Sequence, residues 1–217
     1  MSGILQSSFM NMRSFGPPPP DAIGASYQGG FYAGQIAVGG GGTATHYLVV
    51  APLATGESTL KWKTTNTATA GTTSDIDGPT NSANMNNASH PAGQFCEALT
   101  IGGYTDWYMP AKNELEVQYY FLKPRVIANT TSVGSNANAV SPEPISTNYS
   151  SGSPAQTSAT VFQVGNSEEF NASYYWSSTG DSYSPSTGWL QYFWNGNQYA
   201  GSKVNSRRVR AVRRVAI

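Results

Sequence analysis

Cysteine, histidine and charge are all scarce in this chain of 217 residues. The single cysteine, Cys96, excludes an intrachain disulfide framework and argues against a cysteine-based metal site, so the fold must be held by burial. With only His46 and His90, few nucleophile–base pairs can be written. Charged residues make up 11% of the chain, against about a quarter in ordinary domains. The formal net charge is zero, which removes any global electrostatic case for nucleic acid or an anionic membrane. No run approaches the ~20 apolar residues of a membrane span. Met1–Met12 lacks the charged head and apolar core of a secretory signal, so synthesis in a cytoplasm is expected, with any exterior location reached by another route.

Gly, Ser, Thr, Asn and Tyr are abundant, and 39% hydrophobic content suffices for one sizeable core. The pattern is that of a β-rich, loop-rich protein with a weakly charged surface. Residues 1–21 end in Phe15-Gly16 and four consecutive prolines, which force an extended spacer without ladder donors. This segment reads either as a disordered start or as an arm that carries Ile4, Leu5, Phe9, Met10 and Phe15 to a partner, leaving 22–217 as the domain. Two strands, Phe31–Ile36 and Tyr47–Ala51, flank the glycines 39–42. With no following Gly-Lys-Ser/Thr, those glycines read as a turn and not a phosphate cradle. Asp75-Ile76-Asp77-Gly78 opens like a calcium loop, but Asn86 stands where the bidentate Glu belongs, so an Asp-Gly turn is expected.

From Asn84 to Leu99 apolar residues recur at helical spacing. Either two short helices meet at Pro91 or Pro91 opens the main one. Cys96 falls on its apolar face as a small buried hydrophobe. A short strand at Trp107-Tyr108-Met109 runs into a helix pre-set by Pro110, with Glu114 in its first turn and Leu115, Tyr119 and Leu122 as its buried stripe. Lys123-Pro124 stops it. Residues 126–160 form a nearly uncharged segment longer than a passive connector. Strands follow at Tyr174–Ser178, Trp189–Phe193 and near Gln198-Tyr199, with Asn195-Gly196-Asn197 as a hairpin turn, and a last strand runs over Arg208–Val215. In that strand Val209, Ala211 and Val215 would face the core while the arginines pair with carboxylates or reach solvent. Catalytic acid pairs do not form on paper: Glu168 and Glu169 point to opposite faces of an extended segment, and Glu114 and Glu116 diverge on a helix. A non-enzyme without cofactor or resident metal is the expectation.

Three blocks, Gly103–Leu115, Tyr175-Trp176-Ser177-Ser178-Thr179 and Val209–Arg213, resemble in order the signature blocks of the DUF1566 family, also called the Lcl C-terminal domain-like family. The resemblance spans about Tyr27 to Ile217. It implies an α+β, C-type-lectin-like fold: two helices packed on a small twisted antiparallel sheet with long loops, and Trp107, Trp176, Leu115 and Val209 in the core. It also implies an occurrence in phage tail and virion proteins or bacterial surface proteins. Departures matter too. The paired cysteines of the formylglycine-generating relatives cannot be reproduced, and Glu143-Pro144 is followed by Ile145, not the Asn of calcium-dependent sugar-binding lectins.

Some lectin-like phage proteins display a variable face just before the C-terminus, which here corresponds to the Tyr/Asn/Ser-rich residues 180–208. The resemblance thus implies contact residues Asp181, Tyr183, Trp189, Gln191, Tyr192, Trp194, Asn195, Asn197, Gln198 and Tyr199, with some alternate members serving as core. The expected function is a phage virion component at a tail fibre, tail tip or capsid surface, made in the host cytoplasm. It would be joined to other virion proteins through its arm, homo-oligomeric (a trimer), and would bind a host glycan or surface protein. The alternatives are a decoration or cement protein that contacts virion subunits only, and, more distantly, a bacterial adhesin or an enzyme related to the formylglycine-forming proteins.

Overall fold

The computed structural model of the chain describes residues 20, 22–39, 42–141 and 147–217. The expected arm residues Ile4, Leu5, Phe9, Met10 and Phe15, and Glu143-Pro144-Ile145, lie outside them. The described chain is a mixed α/β structure, mostly β, with two five-stranded sheets.

The first sheet contains β1 (Ser26–Tyr27), β2 (Gly30–Ile36), β3 (His46–Val50), β5 (Ala139–Ser141) and β10 (Val212–Ala216), in the order β1-β2-β3-β10 with β5 also on β2. The second contains β4 (Glu57–Lys61), β6 (Tyr174–Gly180), β7 (Thr187–Tyr192), β8 (Gln198–Ser202) and β9 (Ser206–Arg210), ordered β4-β9-β6-β7-β8. Four helices accompany them: α1 (Leu53–Gly56), α2 (Gly78–Ala83), α3 (Pro91–Glu97) and α4 (Lys112–Leu122). The glycine-flanked β2–β3 hairpin and the β7–β8 hairpin form as expected. The expectation of two helices on one small sheet is corrected to these four helices and two sheets.

The last strand is also corrected. Arg208–Val215 is not continuous but crosses from one sheet to the other at Ala211, whose C=O accepts from Ala51 N–H and whose N–H donates to Gly56 C=O, both at 2.9 Å. The β3–α1–β4 segment makes the same crossing alongside it. Val212 pairs with Val50 and Arg210 with Glu57, so the two segments form one bent antiparallel ribbon with α1 as its insert. A period of two continues unbroken through such a bend, which is why the sequence pattern does not register it. The Trp107–Met109 segment likewise forms only one bridge, Tyr108 to Val212, and α3 begins at Pro91, the second of the two readings of that region.

Helix α4 starts on Ala111, which has no capping oxygen. Glu114 makes the reciprocal half of a capping box, accepting from Ala111 N–H at 2.7 Å. Leu115, Tyr119 and Leu122 are buried as the spacing predicts. Gly34 on β2 has φ +126°, and a Cβ there would stand 2.7 Å from the Phe121 ring, so its lack of a side chain lets α4 lie against the sheet. Around α4 a stack of Phe162, Phe170, Phe193 and Tyr175 fills one core; Trp62, Trp107, Trp176, Met85 and Cys96 fill the other.

Candidate functional site

Strands β6, β7 and β8 carry most of the expected contact residues, and strand alternation sorts them onto two faces. On one face Tyr174 and Tyr192 are register partners whose rings stack at 4.2 Å and 25°. Tyr199 from β8 meets Tyr174 edge-on at 5.0 Å, and the Arg207 guanidinium from β9 lies over the Tyr174 ring at 5.5 Å. All four side chains are half-buried, a row across four strands with its outer edges in solvent. Burial, ahead of the effect of neighbouring Tyr174, raises the Tyr199 phenol above its ordinary range.

The opposite face turns toward α4. Trp189 stands there half-buried beneath Lys112, whose Nζ is 3.8 Å from the ring centroid. Gln191 is 1% exposed and donates to Gly196 C=O at 2.9 Å, while Gln198 donates to Gln191 Oε1 at 2.8 Å. Gln191 is therefore a brace inside the hairpin and offers no contact surface, because the alternation that exposes Tyr192 turns its neighbour inward.

The two ends of β7 are separate again, roughly 17 Å apart at the usual strand rise. At the hairpin tip Trp194 is 39% exposed, 5.8 Å from the Arg125 guanidinium, and Asn195 and Asn197 hold the turn through Thr130 N–H and Tyr192 N–H. At the far end Tyr183 is 96% exposed, and Asp181 accepts from Tyr183 N–H and Thr187 Oγ1, which fixes the loop. The ten residues thus form a tyrosine row, a Trp189 face, a hairpin tip and a distal loop. The tyrosine row gains Tyr174 and Arg207, neither of which was among the expected contact residues. The signal that could have found Tyr174 is its parity with Tyr192 across the β6–β7 pair.

Beside the distal loop lies a cleft of about 210 Å³ lined by Thr69, Thr72, Thr73, Asp181 and Lys203. Lys203 is 2% exposed, donates to Pro185 C=O and packs over Trp62 at 4.3 Å; burial and the nearby Lys63 lower its amine to about 8. A second groove, about 430 Å³, lies by Lys123, Val126, Ile127, Ala128, Ala155 and Gln156.

His90, Cys96 and four of the glutamates are held within the framework. His90, at the start of α3, is held by Thr69 Oγ1 at 2.8 Å and Asn87 Oδ1 at 2.8 Å, and burial followed by the charges of Lys63 and Lys203 lowers it to about 4. Cys96 is fully enclosed, and burial holds its thiol well above the ordinary range. Glu57, Glu114, Glu168 and Glu169 pair with Arg208, Arg214, Arg210 and Arg125. Glu114 and Glu116 diverge as expected, yet both are buried, which the sequence did not reveal. The expected Asp-Gly turn is corrected to a helix start: Gly78 opens α2, and Asp77 caps it by accepting from Thr80 N–H. Among the described residues no group of three or more His, Cys, Asp or Glu side chains is placed to hold a metal ion.

A two-sheet, predominantly β domain whose C-terminal hairpin presents tyrosines beside an arginine-braced core defines the class of protein. Residues 55–213 match the family model of the Lcl C-terminal domain, and the chain belongs to that family. No curated protein matches it.

Proposed function

We propose that this chain is a non-enzymatic recognition domain of C-type-lectin-like fold, borne on a phage virion at a tail fibre, tail tip or capsid surface, that binds a host surface molecule. The observation that carries this reading is the half-exposed row Arg207–Tyr174–Tyr192–Tyr199 on an otherwise weakly charged surface. Tyrosines fixed by stacking give large contact area at low entropy cost, and their hydroxyls match glycan or backbone partners. The commitment of His90, Cys96 and the paired glutamates to the framework supports a non-enzymatic role. The N-terminal segment joins the domain to other virion subunits, and assembly into a homo-oligomer, a trimer in this proposal, multiplies weak contacts into avidity.

The test is a glycan-array and cell-binding measurement on the full chain. The Tyr192→Ala/Trp194→Ala double variant is expected to lose tenfold or more in apparent affinity. Undiminished binding by a folded double variant would defeat the proposed face.

One observation favours the second reading, a decoration protein that contacts only other virion subunits. Val126 (84% exposed) lines the 430 Å³ groove, and Val164 (47%), whose N–H donates to Pro124 C=O, and Trp194 (39%), near Arg125, are exposed against the residues that precede it in the chain. Exposed apolar side chains grouped in this way suit a protein partner. Val126→Asp/Val164→Asp tests it: loss of incorporation into particles with host-cell binding intact would favour this reading.

A further inference from the structure

Five arginines crowd the C-terminal ribbon, and four of them have a carboxylate. Arg208 pairs with Glu57, Arg210 with Glu168, Arg213 bidentately with Asp106 and Arg214 with Glu114. Arg207 is the exception: among the described residues no carboxylate lies within ion-pair distance of it, and its Nε is buried without a hydrogen-bond partner. Its guanidinium instead lies along the Tyr174 ring and hydrogen-bonds the Tyr199 side chain, at the β9 end of the tyrosine row.

In a chain of zero net charge that neutralises its other ribbon arginines, a stacked and uncompensated guanidinium at the surface marks a place where an anion is missing. A carboxylate matches the planar fork of a guanidinium through two parallel hydrogen bonds. The adjoining phenol hydroxyls donate and accept, and the tyrosine edges suit the apolar face of a sugar ring.

We infer that the tyrosine row binds an acidic saccharide, a terminal uronic or sialic acid, with the carboxylate on Arg207 and the ring against Tyr192 and Tyr199. This rests on the recognition reading above and specifies its ligand. Stacking supplies contact area for any sugar, whereas Arg207 selects the charged one.

The experiment is an array of paired neutral and acid-terminated glycans probed with the full chain, with free glucuronate and glucose as competitors. Acidic glycans are expected to bind about tenfold or more tightly than their neutral counterparts, with glucuronate the better competitor and the preference weakening as salt rises. Arg207→Gln, with an unchanged melting temperature, is expected to erase that preference and Arg207→Lys to restore part of it. Equal binding of neutral and acidic glycans, or full acidic binding by Arg207→Gln, overturns the inference and leaves the recognition reading standing if the Tyr192/Trp194 variant still fails. Binding to acidic peptides with no glycan bound overturns the inference and leaves the recognition reading standing, with a protein as its ligand; no binding of any kind overturns both.

Discussion

Arg207 and Arg210 stand three residues apart on one strand and meet opposite fates. Arg210 is fully buried, its Nε on Ala51 C=O, its Nη1 on Glu168 C=O and its Nη2 on the Glu168 carboxylate, with its guanidinium plane 4.7 Å from the Phe170 ring centroid. Arg207 is half-exposed, has no acid and rests on a tyrosine. An odd spacing puts them on opposite faces of the strand, and that alone divides the basic run into a rivet and a contact residue. The difference teaches that charge density along the sequence is uninformative here until each cation is matched with its anion.

The largest test of the comparison is Arg210→Met. It leaves Glu168 buried without its cation and removes a neighbouring positive charge from Glu57, whose carboxyl burial already raises. Breaking a buried pair on one side costs about 3–5 kcal/mol, and urea denaturation should show a loss of that size. A loss below 1 kcal/mol would mean that Arg210 is no rivet.

Gly196→Ala probes the join between hairpin and helix. Gly196 has φ +77°, and a Cβ there would lie 2.5 Å from a Tyr119 ring carbon and 2.8 Å from Tyr149. Left-handed backbone and overpacking together should cost about 2–4 kcal/mol. If the variant is as stable as the parent, the hairpin tip is not braced against α4 and its Trp194 cannot be treated as fixed.

Glu116 is the mirror image of Arg207, a buried acid without a base. Burial raises its carboxyl from 4.5 to about 7, against the lowering effect of hydrogen bonds from Tyr149 Oη and Asn136 Nδ2. Because its folded value lies above its unfolded one, the stability it contributes is complete below about pH 4.5 and fades as pH rises through about 7. Denaturation at pH 5 and pH 8 should show that decline. Glu116→Gln should remove it, leaving the variant more stable than the parent at pH 8 by on the order of 1–3 kcal/mol. An unchanged pH profile would show that the carboxyl finds a cation or water when it ionises.

What was legible in the sequence was local. Strands β2 and β3, the Asn195–Asn197 turn and α4 declare themselves by alternation, glycine and proline, because neighbours in sequence determine them. What was illegible depended on which partners each group meets in space, several of them 100 residues or more away. The sheet crossing at Ala211 is made by hydrogen bonds to Ala51 and Gly56, which no periodicity records. Glu114 reads only as a first-turn acid, and its burial goes unseen because its cation, Arg214, is 100 residues distant. Lys123 reads as a helix stop, whereas its ammonium is buried and donates to Ile127 C=O, Asn129 Oδ1 and Pro154 C=O, pinning the long segment beneath α4. Of the contact residues, Tyr192 and Tyr199 are among those that the resemblance implied, but Tyr174 and Arg207 required the register of β6 with β7 and the stacking across β9.

The smallest expected effect decides most about function. Arg207→Met removes a guanidinium that satisfies no buried acid and opens no core cavity, so its cost should stay within about 0.5 kcal/mol, as for other surface changes. Measured beside Arg210→Met by the same denaturation, it should barely move the midpoint while the other collapses it. A destabilisation of 2 kcal/mol or more would place Arg207 in the framework, holding Tyr174 and Tyr199 in position, and its effect on ligand binding would then be indirect. A near-zero cost would show that its stacking on Tyr174 and its hydrogen bond to Tyr199 add little to the fold, so that its acid-free position on the tyrosine row is better explained by a ligand that completes it.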